Sequence, residues 1–279
     1  MPAERWKRRL KRRTLEFVAR RGYDVEKQTA AFPPYRLVKR VPLGADLLAD
    51  VKTIHGGDIR CVFDVGAHVG QSAAHFLDAF PRAAIHSFEP SPGSYEQLRA
   101  LAGRCARVTA VNAAAGEREG DATFFVNRLS VTNSLLPASP GAGRFLVAPG
   151  ALDPRERATV RLITLDGYAA ANGVDEIDFL KLDTQGYELR VLEGARALLE
   201  RQAIPLISLE VCFVPLYEQQ PLFPEVYQYL YDREYRLVWL YDSSFHRYLY
   251  TIAANALFVH RRMGERLSVL QAASSGGRN

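Results

Sequence analysis

Cys61-Val-Phe-Asp-Val-Gly-Ala-His-Val-Gly-Gln71 is the stretch whose reading decides the fold. The apolar run Arg60–Val65 reads as a buried strand ending at Gly66, and a helix follows from about Gly70 to Phe80, stopped by Pro81. The same alternation continues downstream. Strands are expected at Ala83–Phe88, Arg107–Asn112, Ile177–Leu182 and Ile204–Phe213, with helices at Pro92–Ala102, from Thr164, from Tyr187 to about Arg201, and at Pro224–Asp232. Ala122–Asn127 alternates like an antiparallel strand, Thr159–Ile163 is a further strand, and Tyr235–Tyr241 with Ala253–His260 reads as a closing antiparallel pair. Strand–helix alternation of this kind builds a mostly parallel sheet covered by helices on both faces. Such a sheet binds ligands beyond the carboxyl ends of its strands, where strand order reverses. The positions to examine are therefore Asp64–Gly70, Glu89, Asn112, Asp183 and Glu210.

Upstream of the deciding stretch the composition changes. Residues 1–24 hold nine Lys/Arg against three acids and so carry +6, while the chain as a whole is +5; the remainder is close to neutral. Trp6, Leu10, Phe17 and Val18 recur at near-helical spacing, which predicts a short basic amphipathic helix. It either docks weakly on an anionic membrane surface or acidic partner, or packs its aromatic residues on its own domain. Residues 25–54 read as a linker with a short strand near 35–40 and a helix near 44–54. The expected division is a basic extension and linker over 1–54, one α/β domain over 55–262, and a disordered tail over 263–279. Residues 128–157, rich in Pro, Gly, Ser and Ala, form an excursion long enough to be a functional lid or a disordered segment.

Several classes are excluded by composition. At 279 residues, 48% of them hydrophobic, the chain buries a core without staples. Cys61, Cys105 and Cys212 are too few and too odd for a disulfide scaffold and suit a reducing compartment. The longest apolar stretch, Ala203–Tyr217, is broken by Pro205, Glu210 and Pro215, so no transmembrane helix is expected. No apolar segment follows the basic N-terminus as a secretory signal requires, and the expected location is cytoplasmic. The body has no basic stripe interleaved with aromatics, so no nucleic-acid partner is expected. The oligomeric state is not written in the sequence.

The glycine turn narrows the ligand. Its spacing is Asp-x-Gly-x-x-x-Gly, whereas a pyrophosphate-binding turn needs Gly-x-Gly-x-x-Gly, and Asp64 beside the turn repels phosphate and suits a cationic ligand. Glu89, at the end of the next strand, is placed to accept both hydroxyls of a ribose. A ribose acid without phosphate glycines points to adenosine without pyrophosphate, and S-adenosylmethionine fits.

On these residues the chain resembles the FkbM family of S-adenosylmethionine-dependent methyltransferases, within the class I superfamily. The matching segments are Val62–Gln71, Ser87-Phe-Glu-Pro-Ser91, Asn133-Ser-Leu135, Ile163-Thr-Leu-Asp166, Ile177–Glu188, Val191-Leu-Glu-Gly-Ala195 and Glu210–Leu216, spread over about residues 59–262. The resemblance implies a Rossmann-like α/β fold whose seven-stranded sheet has six parallel strands and a last, antiparallel one. It implies that Asp64, Gly66 and Gly70 line the methionyl end of the cofactor and that Glu89 holds the ribose; Gln71 is a further cofactor-binding candidate, and His68 either donates to the methionyl carboxylate or is a structural turn histidine. Asn112 and Ala113 would sit against adenine, and Asp183 beside the transferable methyl. The chain departs from the family twice: His68 stands where Asn is usual, and Asp183-Thr-Gln-Gly186 has Gln185 in place of an acid, so Gln185 is given no role as a base.

The expected chemistry is O-methylation of a hydroxyl on a small-molecule or glycan acceptor, a sugar or a secondary metabolite. Asp183, Glu210 and His246 are the candidate bases, with Asp183 favoured; each also has a structural reading, Asp183 as a grip on the cofactor's amino group. Phe213 and Tyr217, with the 128–157 excursion, are the candidate acceptor-binding residues. Two strand-end carboxylates would suit Mg²⁺, but no third ligand stands out and no metal is assigned. An aminopropyltransferase-like enzyme or a non-catalytic cofactor-binding protein is the alternative.

Overall fold

The computed structural model describes residues 23–27, 35–39, 43–146, 148, 150–246 and 249–264. The chain divides into two compact units, 1–45 and 46–279. The smaller contains β1 (Tyr23–Lys27) and β2 (Tyr35–Lys39), which pair antiparallel with Tyr23 opposite Lys39. β1 was not expected from the sequence, and the basic segment 1–24 expected to be helical lies outside the described residues apart from Tyr23 and Asp24, which begin β1. So does the disordered tail, apart from its first two positions.

The larger unit begins with α1 (Leu47–His55), capped by Asp46, whose side chain accepts from Ala49 N at 2.8 Å. The unit boundary therefore precedes the expected 54/55 division, because Val51 of α1 is fully buried in the core. There follow β3 (Cys61–Val65), α2 (Gln71–Ala79), β4 (Ala84–Phe88), α3 (Pro92–Ala102) and β5 (Val108–Val111). A three-stranded side sheet contains β6 (Ala114–Ala115), β7 (Gly120–Asn127) and β8 (Pro154–Ile163), in the order β6-β8-β7. α4 (Leu165–Ala171), β9 (Phe179–Leu182), α5 (Glu188–Glu193), α6 (Arg196–Glu200), β10 (Leu206–Cys212), α7 (Phe223–Tyr231), β11 (Tyr235–His246) and β12 (Tyr250–His260) complete the unit.

The main sheet has seven strands in the order β11-β12-β10-β9-β3-β4-β5. Pairs among β10, β9, β3, β4 and β5 are parallel, and β12 runs antiparallel to both β10 and β11. β12 is thus the single reversed strand, inserted between β10 and β11. Strand order reverses between β3 and β9, because the chain builds outward through β4 and β5 before returning to β9. Alternate residues feed two cores: Phe63, Val65, Leu180, Leu182, Ile207 and Leu209 on one face, and Val62, Ile85, Phe179, Leu206 and Leu257 on the other. Both faces are buried, as a parallel sheet requires.

Two local features differ from the sequence expectations. The single helix expected from Tyr187 to Arg201 is two, α5 and α6, parted at Gly194 and Ala195, where the backbone packs so closely on Gly116 that a Cβ on Gly194 would lie 1.9 Å from Gly116 O. Asp166 then caps α6, accepting from Ala197 N at 2.8 Å and Leu198 N at 2.9 Å. The 128–157 excursion is ordered where described. It holds 3-10 turns at Ser130–Thr132 and Ala142–Phe145, and β8 starts at Pro154 rather than Thr159. Ser134 Oγ donates to Gln185 O at 2.7 Å, which pins the excursion to the end of β9.

Candidate active site

The carboxyl ends of β3, β4 and β9 open onto a cleft of about 810 Å³, open mouth included. On one side stands the turn after β3. Gly66 has φ +80°, and a Cβ there would lie 1.9 Å from Asp183 O, so only glycine lets the turn close onto the end of β9. His68 has φ +48°, a left-handed conformation that Asn, Asp and His enter more readily than other side chains. That preference lets histidine occupy the turn position at which the resemblance implies asparagine. The His68 ring reaches Ser130 Oγ at 3.0 Å, and burial pushes its pKa below the usual value.

Glu89 joins this turn to the end of β4. Its carboxylate, 5% exposed, accepts from His68 N at 2.9 Å on one oxygen and from Ser91 N at 2.8 Å on the other. Burial pushes its pKa up to about 7 despite these two backbone bonds. Each oxygen keeps a further lone pair, so the group can still accept two hydroxyls. Glu89 and His68 both line the cleft.

Beneath the cleft a polar row crosses four adjacent strands. Ser87 on β4 is in register with Asp64 on β3, Asp64 with Lys181 on β9, and Lys181 with Ser208 on β10. Asp64 is fully buried and forms an ion pair with the Lys181 ammonium at 3.4 Å; among the described residues neither of its carboxylate oxygens makes a well-formed hydrogen bond. Burial pushes its pKa up, and Lys181 only partly offsets that. Lys181 also donates to Gly66 O at 3.3 Å and Asp183 Oδ2 at 3.2 Å. Burial works against its ammonium, but Asp183 and Asp64 outweigh it and hold the lysine above its usual range.

Asp183 follows β9, with its side chain 40% exposed on the cleft wall. Burial of its surroundings acts to raise its pKa, but Lys181 and the bond from Gln185 hold it below the ordinary carboxylate range. Gln185 Nε2 donates to Asp183 Oδ1 and to Glu210 Oε2, both at 2.9 Å. Tyr217 Oη lies 2.9 Å from Gln185 Oε1 and 3.0 Å from Thr132 O. Glu210 sits behind Gln185, and burial together with the charges of Asp183 and Glu188 pushes its pKa well up. An amide at 185 supplies a donor between two acids; a carboxylate there would place a third acid in the cluster.

The structure thus gathers Gly66, His68, Gln71, Glu89, Ala113 and Asp183 on the cleft wall. Asp64 lies just below them, Glu210 one side chain behind, and Gly70 turns away to pack on Leu98 and Leu101 of α3. Asn112 is exposed and outside the cleft, although Ala113 beside it lines the wall. Phe213 packs on Phe223 with ring centres 5.1 Å apart, and Tyr217 is buried, meeting the site only through its hydroxyl. His246 requires a correction. Expected in the loop after a strand ending at Tyr241, it is instead the last residue of β11, it pairs with Tyr250 and stacks on that ring at 5.2 Å, and it is absent from the cleft wall. Lys181 was missed from the sequence, although a single lysine inside Phe179-Leu-Lys-Leu182 was a visible signal, since a buried lysine needs partners. Among the described residues no group of three or more His, Cys, Asp or Glu could hold a metal ion. Nor is any helix there long and apolar enough to cross a membrane.

A seven-stranded sheet of this order, with a glycine turn and a strand-end acid at its switch point, defines a Rossmann-like fold of the class I methyltransferase type. The Methyltransferase FkbM domain matches residues 64–237, and the chain belongs to that family. It is similar to the AMB antimetabolite synthetase AmbE of Pseudomonas aeruginosa, 30% identical over 159 residues, a match that takes in 48% of this chain and 7% of that protein. Among solved structures it is similar to the METTL16 MTase domain (11% identity, TM-score 0.44, covering 86% of this chain and 74% of that one). It is also similar to the magnesium protoporphyrin IX methyltransferase ChlM of Synechocystis PCC 6803 with bound SAM (12% identity, TM-score 0.38, covering 76% and 79%).

Proposed function

We propose that this methyltransferase uses S-adenosylmethionine to methylate a hydroxyl on a sugar or secondary-metabolite acceptor, with Asp183 taking the hydroxyl proton. The observation that carries the reading is the Glu89 carboxylate, held against the glycine turn by His68 N with lone pairs left for two ribose hydroxyls. Ala113, Ala114 and Ala115 give the cleft an apolar side suited to a base. When bound, S-adenosylmethionine supplies a methyl group on a positively charged sulfur.

The chain's own contribution is mainly positional. Holding nucleophile and electrophile in line is worth about 7–11 kcal/mol, and a positioned base adds about 10²–10⁴-fold. Asp183 is the member of the acid pair suited to that role, because Lys181 keeps it ionised and its side chain reaches the cleft. Glu210, pushed toward its protonated form, is suited to hold Gln185 in place rather than to act as base. The acceptor enters between the end of β9 and the excursion at Ser130–Asn133. A small molecule or glycan fits better than nucleic acid, since the sequence of the near-neutral body carries no basic stripe interleaved with aromatics. A cytoplasmic setting fits the three free cysteines.

Calorimetry with S-adenosylmethionine and with NAD tests the cofactor: binding of the first alone is expected, and binding of NAD alone would overturn the reading. Transfer of labelled methyl into a cell extract, followed by identification of the product, then tests the acceptor class. Label on a hydroxyl oxygen is expected, and label on nitrogen or carbon would overturn O-methylation.

A further inference from the structure

We propose that Lys181 is a positioning residue for methyl transfer: it ties the glycine turn to the strand-end acid and fixes the orientation and charge of Asp183. The argument starts from a count of protons. A lysine ammonium has three N–H donors. Two make hydrogen bonds, from Lys181 to Gly66 O at 3.3 Å and to Asp183 Oδ2 at 3.2 Å, and the ammonium also forms an ion pair with Asp64 Oδ1 at 3.4 Å. Although it stands on the cleft wall, Lys181 thus spends its charge on two carboxylates and two of its donors on the turn and Asp183. Whatever it does for the reaction it does through Asp183 and the turn.

The placement follows from the strand itself. Alternation along β9 turns residues 179, 181 and 183 to one face, and parallel register sets Lys181 beside Asp64 of β3. The same lysine thus touches both sides of the cleft, the cofactor-side turn and the proposed proton acceptor. Asp183 is gripped from two directions, Oδ2 by Lys181 and Oδ1 by Gln185. That grip leaves the carboxylate one orientation against the cleft. The other ionisable groups that bear on Asp183 are Asp64 on β3, His68 in the turn, Glu188 on α5, Glu210 on β10, and Cys212 and Tyr217 beyond them. The carboxyl groups among them disfavour a charged Asp183 when ionised, and Lys181 is the permanent cation set against them.

A simpler role would be neutralising Asp64 alone, and one variant separates the two. In Lys181→Met/Asp64→Asn the buried pair is removed together, so a lysine that served only Asp64 is no longer needed. The measurement is the side-chain carboxyl titration of Asp183 by NMR in the full chain with ¹³C-labelled aspartate, assigned by its loss in Asp183→Asn. No ligand is added. The expected result is an upward shift of about 1–3 pH units in the double variant and in Lys181→Gln, with Lys181→Arg restored toward the wild-type midpoint. Lys181→Gln keeps donors without charge, so it serves if the double variant does not fold. An unchanged Asp183 midpoint in either folded neutral variant overturns the proposal, as does a shift in Lys181→Arg as large as in Lys181→Gln. The inference rests on Asp183 as proton acceptor, but this titration does not: if the variants show the shift while the wild-type protein fails to bind S-adenosylmethionine, the functional reading falls and the hold of Lys181 on Asp183 stands.

Discussion

Two aspartates bracket the four residues of β9, and their surroundings could hardly differ more. Asp178, before the strand, accepts from Arg60 N at 2.7 Å, Cys61 N at 2.9 Å and the His55 ring at 3.2 Å. Although burial acts to raise its pKa, these donors hold it below the usual range, and every one of them belongs to the scaffold. Asp183, after the strand, is held by Lys181 and Gln185 and still opens onto the cleft. One carboxylate closes the amino ends of two neighbouring strands; the other is fixed but left available. In a parallel sheet the direction of the strand decides which acid meets the ligand.

The strongest way to break this contrast is Asp183→Asn. Methyl transfer should fall by about 10²–10⁴-fold while affinity for S-adenosylmethionine is retained; calorimetry and labelled-methyl assays on the same preparation decide it. Asp178→Ala should do the opposite. It strands two backbone donors and an imidazole, so chemical denaturation should show a loss of about 2–4 kcal/mol, with cofactor binding by the folded fraction intact. If that variant lost turnover at full stability, the scaffold assignment would be wrong.

Glu89 sharpens the contrast through pH. Its folded-state pKa of about 7 lies above the ordinary 4.5, so the folded chain retains a proton that the unfolded chain has released. The associated stability is fully present below about pH 4.5 and is lost as pH rises through about 7, at no more than about 1.4 kcal/mol per pH unit. Glu188, also pushed up to about 7 by burial, adds a second contribution of the same sign. Stability should therefore decline from pH 5 to pH 8, and Glu89→Gln should make the decline shallower in thermal melts. The smallest effect is expected of Tyr217→Phe, which takes one hydroxyl from Gln185 and Thr132 and should cost about 1 kcal/mol in denaturant.

What could be read in advance follows the same division. The strand–helix alternation, the reversed β12 and the glycine turn were legible because each rests on local spacing and on which residues must be buried. Asp183 was legible because it ends a strand. Lys181 was quoted within a matching segment yet given no task, since its meaning depends on Asp64 lying beside it in the sheet, more than a hundred residues away in the chain. His246 misled because strand length past Tyr241 depends on pairing with β12 through irregular register, which no local pattern announces. Asn112 and Ala113 are neighbours with opposite exposures, a difference set by the turn into β6. The early start of β8 was hidden by exposed Pro154, Arg155 and Glu156, which lack the apolar alternation of a half-buried strand.

The missing side chain at Gly66 has a bearing on any attempt to recombine this molecule. With the bend after β3 seated on the carbonyl of Asp183, the segments 64–71 and 181–186 form one joint made from two distant pieces of chain. A chimera that imports either piece from another sequence inherits half of a fitted hinge. Exchanged together, the two should transplant as a unit.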